Sequence, residues 1–305
     1  MATIHIQGPN NNGFVRFAAA HPNVITSLDD IADAYGILFE AIQAIHCKTK
    51  ARLERQRDLL ILTCSCYGEF NEVAALATTG LGAGATKLLR ALTERVTTTL
   101  YLMKHQRQIR RFKEYSAVHD HKLLVEIERL RSKKPKRFFT HQAQIVQRYE
   151  TVKRSFDREP CKKCAEKIPT LCKNCRTSLT RALTWTPRSV PDMADDVGKQ
   201  LRNLFALAYS VPMFYLHASE WSVQQQMSPG TDGVPFFQHP DKEWKDSHTA
   251  LVIGCALVEL LARRTNSFYR LKRADACKRI LNASIVIRDE FGFGKRRRQR
   301  RKPSQ

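Results

Sequence analysis

Hydrophobic residues recur along this chain at the spacing of α-helices. Between positions 28 and 45 the apolar residues follow one another at steps of three and four, the period of one buried helix face. Ser27 stands just before this stripe, and two aspartates follow in the first turn, as at a helix N-terminus. The pattern predicts helical structure from Ser27 to about Thr79, as one long helix or two stacked ones.

Similar stripes predict that most of the remaining chain is helical. No alternating strand pattern of useful length and no internal repeat interrupts them. The predicted fold class is therefore all-α, a multi-helix bundle. The predicted helices span about 85–105, 107–132, 138–157, 190–217 with a kink at Pro212, 246–262, and a short last segment before the C-terminal tail.

Four cysteines form two Cys-x-x-Cys pairs near the middle of the chain, Cys161 with Cys164 and Cys172 with Cys175. At this spacing two thiolates on a tight turn reach one ion, and four thiolates make the tetrahedral ligand set of a closed zinc site. Two disulfides are the alternative. The N-terminus lacks the basic and apolar segments of a signal peptide, and a reducing cytoplasm favours metal over disulfide. We therefore expect a cytoplasmic protein with one structural Zn²⁺.

The chain is strongly basic, with a formal net charge of +22. Seven basic residues lie in the tail at 295–302, and positions 104–176 carry 21 Lys and Arg against 8 Asp and Glu. Such surfaces bind polyanions, because each neutralised phosphate releases counterions. Nucleic acid is the expected partner, and anionic lipid or simple solubility are the alternatives. The predicted nucleic-acid-binding residues are Lys133, Lys134, Lys136, Arg137, Lys162, Lys163, Lys173, Arg296, Arg297 and Arg298.

Three polar residues on predicted helices are candidates for catalysis. Arg90 and Glu94 are one helical turn apart, so they can form an ion pair. That pair either orients a phosphate-binding arginine or only locks helices together. His217 ends an apolar stretch and is either a general acid/base or a buried core histidine. Arg90, Glu94 and His217 are the predicted catalytic residues, and we expect them to share one site.

Four short motifs follow one another in the sequence. They are an Arg-x-x-x-Glu helix (Arg90, Glu94), a Phe-x-x-Tyr segment (Phe112, Tyr115), a Trp-led turn before an acidic helix (Trp185), and a helix with Tyr209, Met213 and His217. In this order, over roughly residues 80–260, they resemble a family of bacterial helical proteins known as domain of unknown function 5677. That family has serine where this chain has Met213. The resemblance implies a helical fold and leaves the activity open.

These features divide the chain into five predicted parts. They are a flexible N-terminal arm (1–26), the first part of the helical core (27–157), an inserted zinc-binding segment (158–178), the second part of the core (179–290) and a basic tail (291–305). No apolar stretch is expected to be long enough to span a bilayer, since the nearest candidate, 249–262, is too short and carries Glu259. No membrane partner is expected.

Two functions from different classes fit the sequence. The first is a nucleic-acid-binding protein that acts as a metal-independent ribonuclease or other effector of a prokaryotic defence or toxin system. Helical ribonucleases of such systems carry an arginine and a histidine four to six residues apart. Here Arg16 and His21 have that spacing, in a predicted loop. The second function is a non-enzymatic scaffold with a structural zinc site that binds a protein partner or a second copy of the chain.

Overall fold

The computed structural model describes residues 11–45, 50–130, 141–156, 185–210, 227–229, 235–237 and 240–293. These residues form ten α-helices, one π-helical segment and two short strands. The helices are α1 (Asn11–Ala20), α2 (Pro22–Gln43), α3 (Lys50–Thr78), α4 (Gly82–Lys104), α5 (Gln108–Leu130), α6 (Gln142–Phe156), α7 (Val190–Val197), α8 (Lys199–Phe205), α9 (Pro240–Tyr269) and α10 (Ala274–Glu290).

The predicted all-α class is confirmed. The two strands, β1 (Met227–Pro229) and β2 (Pro235–Phe237), are three residues each and pair antiparallel, with Met227 opposite Phe237. A two-stranded pair of this size has no stability of its own. The strand pair therefore does not change the all-α class of the protein.

The chain forms two compact units, Met1–Lys104 with Val190–Gln305, and His105–Ser189. In the first unit, α3 and α4 pack against each other and both pack against α9, while α10 packs against α9 and α2. The apolar stripe of α4 is buried as predicted at Leu89, Leu92 and Val96. Tyr101, on the same helix, is buried as well.

The second unit is built on α5 and α6. Val118, Tyr149 and Phe156 form its small core. Arg111 connects this core to Trp185. Its guanidinium carbon lies 4.7 Å from the centre of the Phe156 ring, and its Nε donates to the Trp185 carbonyl at 2.7 Å. The tryptophan of the third motif is thus tied to the helix that carries the second.

Residues 11–26 are helical, whereas the sequence analysis assigned them to a flexible arm. They form α1 and the first turn of α2, and both Phe17 and Val24 are buried. A Cβ atom added at Gly13 would lie 2.4 Å from the Thr79 carbonyl oxygen, so α1 lies directly against the end of α3. The sequence pattern did not predict this helix because its apolar face has only a few residues, which lie between an asparagine run and His21-Pro22.

Aromatic rings and two histidines hold α1 in place. Phe17 stacks on Trp244 at 5.7 Å between ring centres, and His248 stacks on Phe291 at 3.9 Å. His21 lies between them, 5.4 Å from His248 and 5.2 Å from Phe291. This aromatic–histidine cluster joins α1 to the first turns of α9 and to the end of α10.

The predicted helix at 190–217 is interrupted. Gly198 separates α7 from α8 with a φ of +144°, a backbone conformation that residues with a Cβ rarely adopt. After α8 the chain continues as a π-helical segment, Ala206–Ser210. Pro212, the predicted kink, lies outside the described residues.

A single residue sets the turn between α3 and α4. Gly80 has a φ of +83°, and a Cβ atom there would lie 3.3 Å from the Trp244 ring. Glycine at this position therefore allows a tight turn that packs against the Trp244 ring.

One described helix segment, Glu54–Thr78 in α3, is long and apolar enough by length and composition to cross a membrane. The sequence analysis expected no such segment. In its most apolar stretch of 18 residues, 33% is buried inside the protein, and α3 packs against α4 and α9. A core helix meets the same criterion, so the finding alone does not identify a membrane protein.

Candidate functional site

Arg90 and Glu94 form the ion pair that their spacing predicts. The Arg90 Nε donates to Glu94 Oε1 at 3.2 Å, and the two side chains are 22% and 42% exposed. A helix pair with this much water access contributes about 0.3–0.5 kcal/mol to folding. The fold therefore depends little on this contact alone.

Tyr209 is the second partner of Arg90. The Arg90 Nη2 donates to the Tyr209 hydroxyl oxygen at 3.2 Å, and the guanidinium carbon lies 4.7 Å from the centre of the tyrosine ring. Burial lowers the pKa of Arg90, but its hydrogen bonds to Tyr209 and Glu94 outweigh burial and hold the pKa above the ordinary value. The guanidinium is thus charged and fixed from two sides.

The π-helical segment brings Tyr209 to Arg90. Thr93, fully buried on α4, shares its one hydroxyl proton between the Leu89 carbonyl of its own helix at 2.7 Å and the Ala208 carbonyl at 3.2 Å. Phe205 stacks on Tyr209 with ring centres 4.5 Å apart. Single π-helical turns occur often at functional sites, because they re-aim side chains within a helix.

Arg90 retains the capacity to bind an anion. A guanidinium carries five N–H donors, of which Glu94 and Tyr209 take two among the described residues. The Tyr209 hydroxyl accepts from Arg90, so its own proton is left to donate to a further group. A partly exposed arginine with unused donors beside a hydroxyl donor suits a phosphate or carboxylate.

A second ion pair joins α4 to α3. Arg95 Nη2 bonds Glu69 Oε1 at 2.6 Å, and Glu69 is 15% exposed. The other carboxylate oxygen of Glu69 is buried and has no hydrogen-bond partner among the described residues. Burial raises the pKa of Glu69 above its ordinary value, Arg95 opposes the rise, and Glu72 and Glu94 add to it.

The two ion pairs form one charged cluster across α3, α4 and the π-helical segment. We call Glu69, Arg90, Glu94, Arg95 and Tyr209 the α3–α4 polar cluster. It alternates acid and base, and Glu69 is close enough for the charge of Glu94 to act on it. A carboxyl group whose pKa is raised although an arginine pairs with it is typical of sites that move protons or bind anions, and structural ion pairs have the same signature.

Of the predicted catalytic residues, the structure describes Arg90 and Glu94. His217 lies outside the described residues, so the predicted shared site is not tested. The four cysteines Cys161, Cys164, Cys172 and Cys175 also lie outside them. So do all ten predicted nucleic-acid-binding residues: Lys133, Lys134, Lys136, Arg137, Lys162, Lys163, Lys173, Arg296, Arg297 and Arg298.

The described residues hold no group of three or more histidine, cysteine, aspartate or glutamate side chains arranged for a metal ion. Cys66, Cys255 and Cys277 are buried, as expected of core cysteines, whereas Cys64 is exposed. Burial raises the pKa of Cys66 and of Cys255 to about 12, so both thiols are protonated and poor metal ligands. The expected zinc ligands are therefore still the four paired cysteines, which as thiolates suit a closed tetrahedral site.

Fold and site together define an all-helical protein with an arginine held between a glutamate and a tyrosine. A scan against protein-family models matches residues 59–233, more than half of the chain, to a family of unknown function, DUF5677. The chain belongs to this family, which confirms the resemblance seen in the sequence. Comparison with curated proteins and with solved structures finds no match.

The family match starts earlier than the resemblance predicted, within α3. It therefore includes Glu69 as well as Arg90, Glu94, Arg95 and Tyr209. Sequence reasoning missed Glu69 and Arg95 as site residues. Their signal is weak: Glu69 is an acid at the edge of a buried stripe, and Arg95 follows Glu94 directly. Helical spacing indicates partners within one helix and cannot indicate the pairing of two helices.

Proposed function

We propose that this protein binds nucleic acid and acts on its phosphate backbone, as a metal-independent ribonuclease or other effector of a prokaryotic defence or toxin system. The observation that carries the proposal is the geometry of Arg90. Its guanidinium is fixed by Glu94 and Tyr209, is partly exposed, and has unused donors. A preorganised cation of this kind stabilises charge on a phosphate without first having to be ordered.

The overall charge supports a polyanionic partner. With a net charge of +22, the chain would attract a nucleic-acid backbone over long distances at low salt. The predicted contacts come from the basic segment around 131–137, the cysteine segment at 158–178 and the tail. Zinc would fix the lysines of the cysteine segment in place, so they would lose less entropy on binding than the lysines of a free chain.

In the ribonuclease form of the proposal, a base removes the proton of a ribose 2′-hydroxyl, whose oxygen attacks the adjacent phosphorus. The bond to the 5′-oxygen breaks, an acid protonates that oxygen, and a 2′,3′-cyclic phosphate remains. Arg90 would bind the phosphate oxygens as negative charge builds up. His217 and Glu94 are the proposed acid/base groups, and Tyr209 offers a further proton near Arg90.

The test compares Arg90→Gln with Lys87→Gln. Both remove one positive charge from α4, but Lys87 is exposed one turn earlier and has no role in the α3–α4 polar cluster. Single-stranded RNA is incubated with each variant, and both binding and cleavage are measured. We expect Arg90→Gln to lose at least about tenfold in cleavage or in affinity, as for one charged hydrogen bond. If both variants behave alike, Arg90 has no specific role.

The scaffold alternative also rests on an observation. Arg90 and Arg95 each already have an acidic partner within the protein, which is what a pair that only joins helices would show. His217→Ala separates the two functions. Loss of cleavage with folding and binding intact supports the ribonuclease. Unchanged behaviour in every assay supports a scaffold that binds a protein partner or a second copy of the chain.

A further inference from the structure

A cleft of about 300 Å³ lies at the ends of α4 and α7, against the last turns of α9. Its walls are apolar, formed by Leu100, Met103, Val197 and Phe268. The volume is at the lower end of the range for small-molecule sites, which combine apolar walls with a few polar groups. The cleft is separate from the α3–α4 polar cluster, because Arg90 lies three turns earlier on α4.

The polar groups of the cleft are two cations and a hydroxyl: Lys104, Arg264 and Ser267. Lys104 is already engaged, since its ammonium group donates to the Asp196 carbonyl and to Asp196 Oδ1 at the end of α7. Because α4 and α7 both end here, their last carbonyls bring partial negative charge, which Lys104 offsets.

Arg264 differs from its neighbour, since the described residues offer it no charge partner. Arg263, the residue before it, pairs with Glu259 and donates to Gln200 at 2.7 Å. Arg264 makes no ion pair with any described residue and lies at the edge of the cleft, among lining residues that include no acid. An exposed positive charge thus lies beside an apolar cavity, with no acidic partner among the described residues.

We propose that this cleft binds a small organic anion with an apolar body, such as an aryl or short alkyl carboxylate. The head group binds the Arg264 guanidinium and the Ser267 hydroxyl, while the body packs against Met103, Leu100 and Phe268. A guanidinium fits a carboxylate through two parallel hydrogen bonds, which favours an anion of this shape. This site is independent of the proposed action on nucleic acid.

Methionine methyl groups give a direct readout. The chain has five methionines, so ¹³C-methyl labelling gives few signals, and Met103→Leu identifies the one from the cleft wall. We expect 4-phenylbutyrate, titrated into the millimolar range, to shift the Met103 signal in a saturable way. The alcohol 4-phenylbutan-1-ol has the same body without the charge and should bind about fivefold more weakly or worse.

Two variants test the role of the charge. Arg264→Gln should weaken the binding of 4-phenylbutyrate about fivefold, whereas Lys278→Gln, which removes an exposed charge from α10, should leave it unchanged. Circular dichroism of Arg264→Gln checks that the fold is intact. The proposal is overturned if the Met103 signal does not saturate, or if the carboxylate binds no better than the alcohol or equally well to Arg264→Gln.

Discussion

Arg90 has two partners of different kinds, and the difference determines what each should contribute. Glu94 offers a surface ion pair that water and salt weaken. Tyr209 offers a hydroxyl acceptor and a ring face. Neither contact is a pair of opposite charges, so salt weakens both less than it weakens the ion pair. We therefore expect the Tyr209 contact to stabilise the position of Arg90 more than the Glu94 contact does. The sequence indicated Tyr209 only through the family resemblance.

Substitutions at these positions should follow that order. Tyr209→Phe keeps the ring and loses the hydroxyl acceptor, so we expect a loss of about 1 kcal/mol in the free energy of unfolding. Tyr209→Leu also loses the ring contact and should cost about 0.5–1 kcal/mol more. Glu94→Gln should cost about 0.5 kcal/mol or less. Denaturant unfolding measures all three, and a larger loss for Glu94→Gln than for Tyr209→Phe would contradict the ranking.

His248 makes the stability depend on pH. Burial and the neighbouring His21 lower the pKa of His248 from 6.5 to about 4. Its Nε2 is also buried without a hydrogen-bond partner among the described residues. The unfolded chain therefore binds a proton at higher pH than the folded protein does, and stability falls as the pH drops from about 6.5 to 4.

We expect a loss of about 1–2 kcal/mol over that window, after allowing for the part of the ring that water reaches. His248→Phe should remove this slope, while His119→Gln, which changes an exposed histidine on α5, should keep it. The measurement is urea unfolding at several pH values. An unchanged slope in His248→Phe would show that other groups cause the effect.

At the scale of whole elements, local periodicity predicted the helices that carry a regular apolar stripe. α4 is such a helix, and α9 contains the almost wholly apolar stretch that predicted a helix at 246–262. α1 was missed because Phe17 is buried by residues from α9 and from the end of α10, which no local pattern shows. The interruption at Gly198 was missed because the apolar stripe continues through it, and only the φ of +144° shows the break.

The contact between α4 and the π-helical segment depends on one hydroxyl. Thr93→Val keeps the side-chain shape but leaves the Ala208 carbonyl without this donor, so we expect a cost of about 1–3 kcal/mol. Amide hydrogen exchange in residues 206–210 should become faster. Thr63→Val is the matched control, since Thr63 is equally buried and, among the described residues, bonds the Leu59 carbonyl of its own helix alone. Equal exchange at 206–210 in both variants would contradict the proposed coupling.

At the scale of the molecule, the candidate site could be predicted only in part. Arg90 and Glu94 followed from helical spacing, and Tyr209 from the family pattern. Glu69 and Arg95 join the cluster through the packing of α3 on α4, which depends on the whole fold. The zinc and nucleic-acid predictions fall on segments outside the described residues, and they remain predictions from cysteine spacing and charge.

Zinc content tests the first of these. We expect about one zinc per chain by elemental analysis of protein purified under reducing conditions, as four thiolates make one closed site. The double change Cys161→Ser and Cys164→Ser should remove the zinc. It should leave most of the helical circular dichroism, because the ten described helices contain none of the four cysteines. Protein without zinc and with the thiols at these positions oxidised would support the disulfide alternative.

The packing of α10 on α2 has a consequence for how the chain is made. Arg279 of α10 bonds Asp30 of α2 at 2.9 Å across 249 positions, and both helices bury apolar residues where they pack. A ribosome that adds roughly 5–20 residues per second needs about 10–50 s to cover that distance. During that time the apolar face of α2 has left the exit tunnel without its partner. The apolar face of α2 is therefore exposed for most of the synthesis of the chain. A chaperone that covers apolar surface would protect it during that time, whereas slower translation would lengthen the exposure.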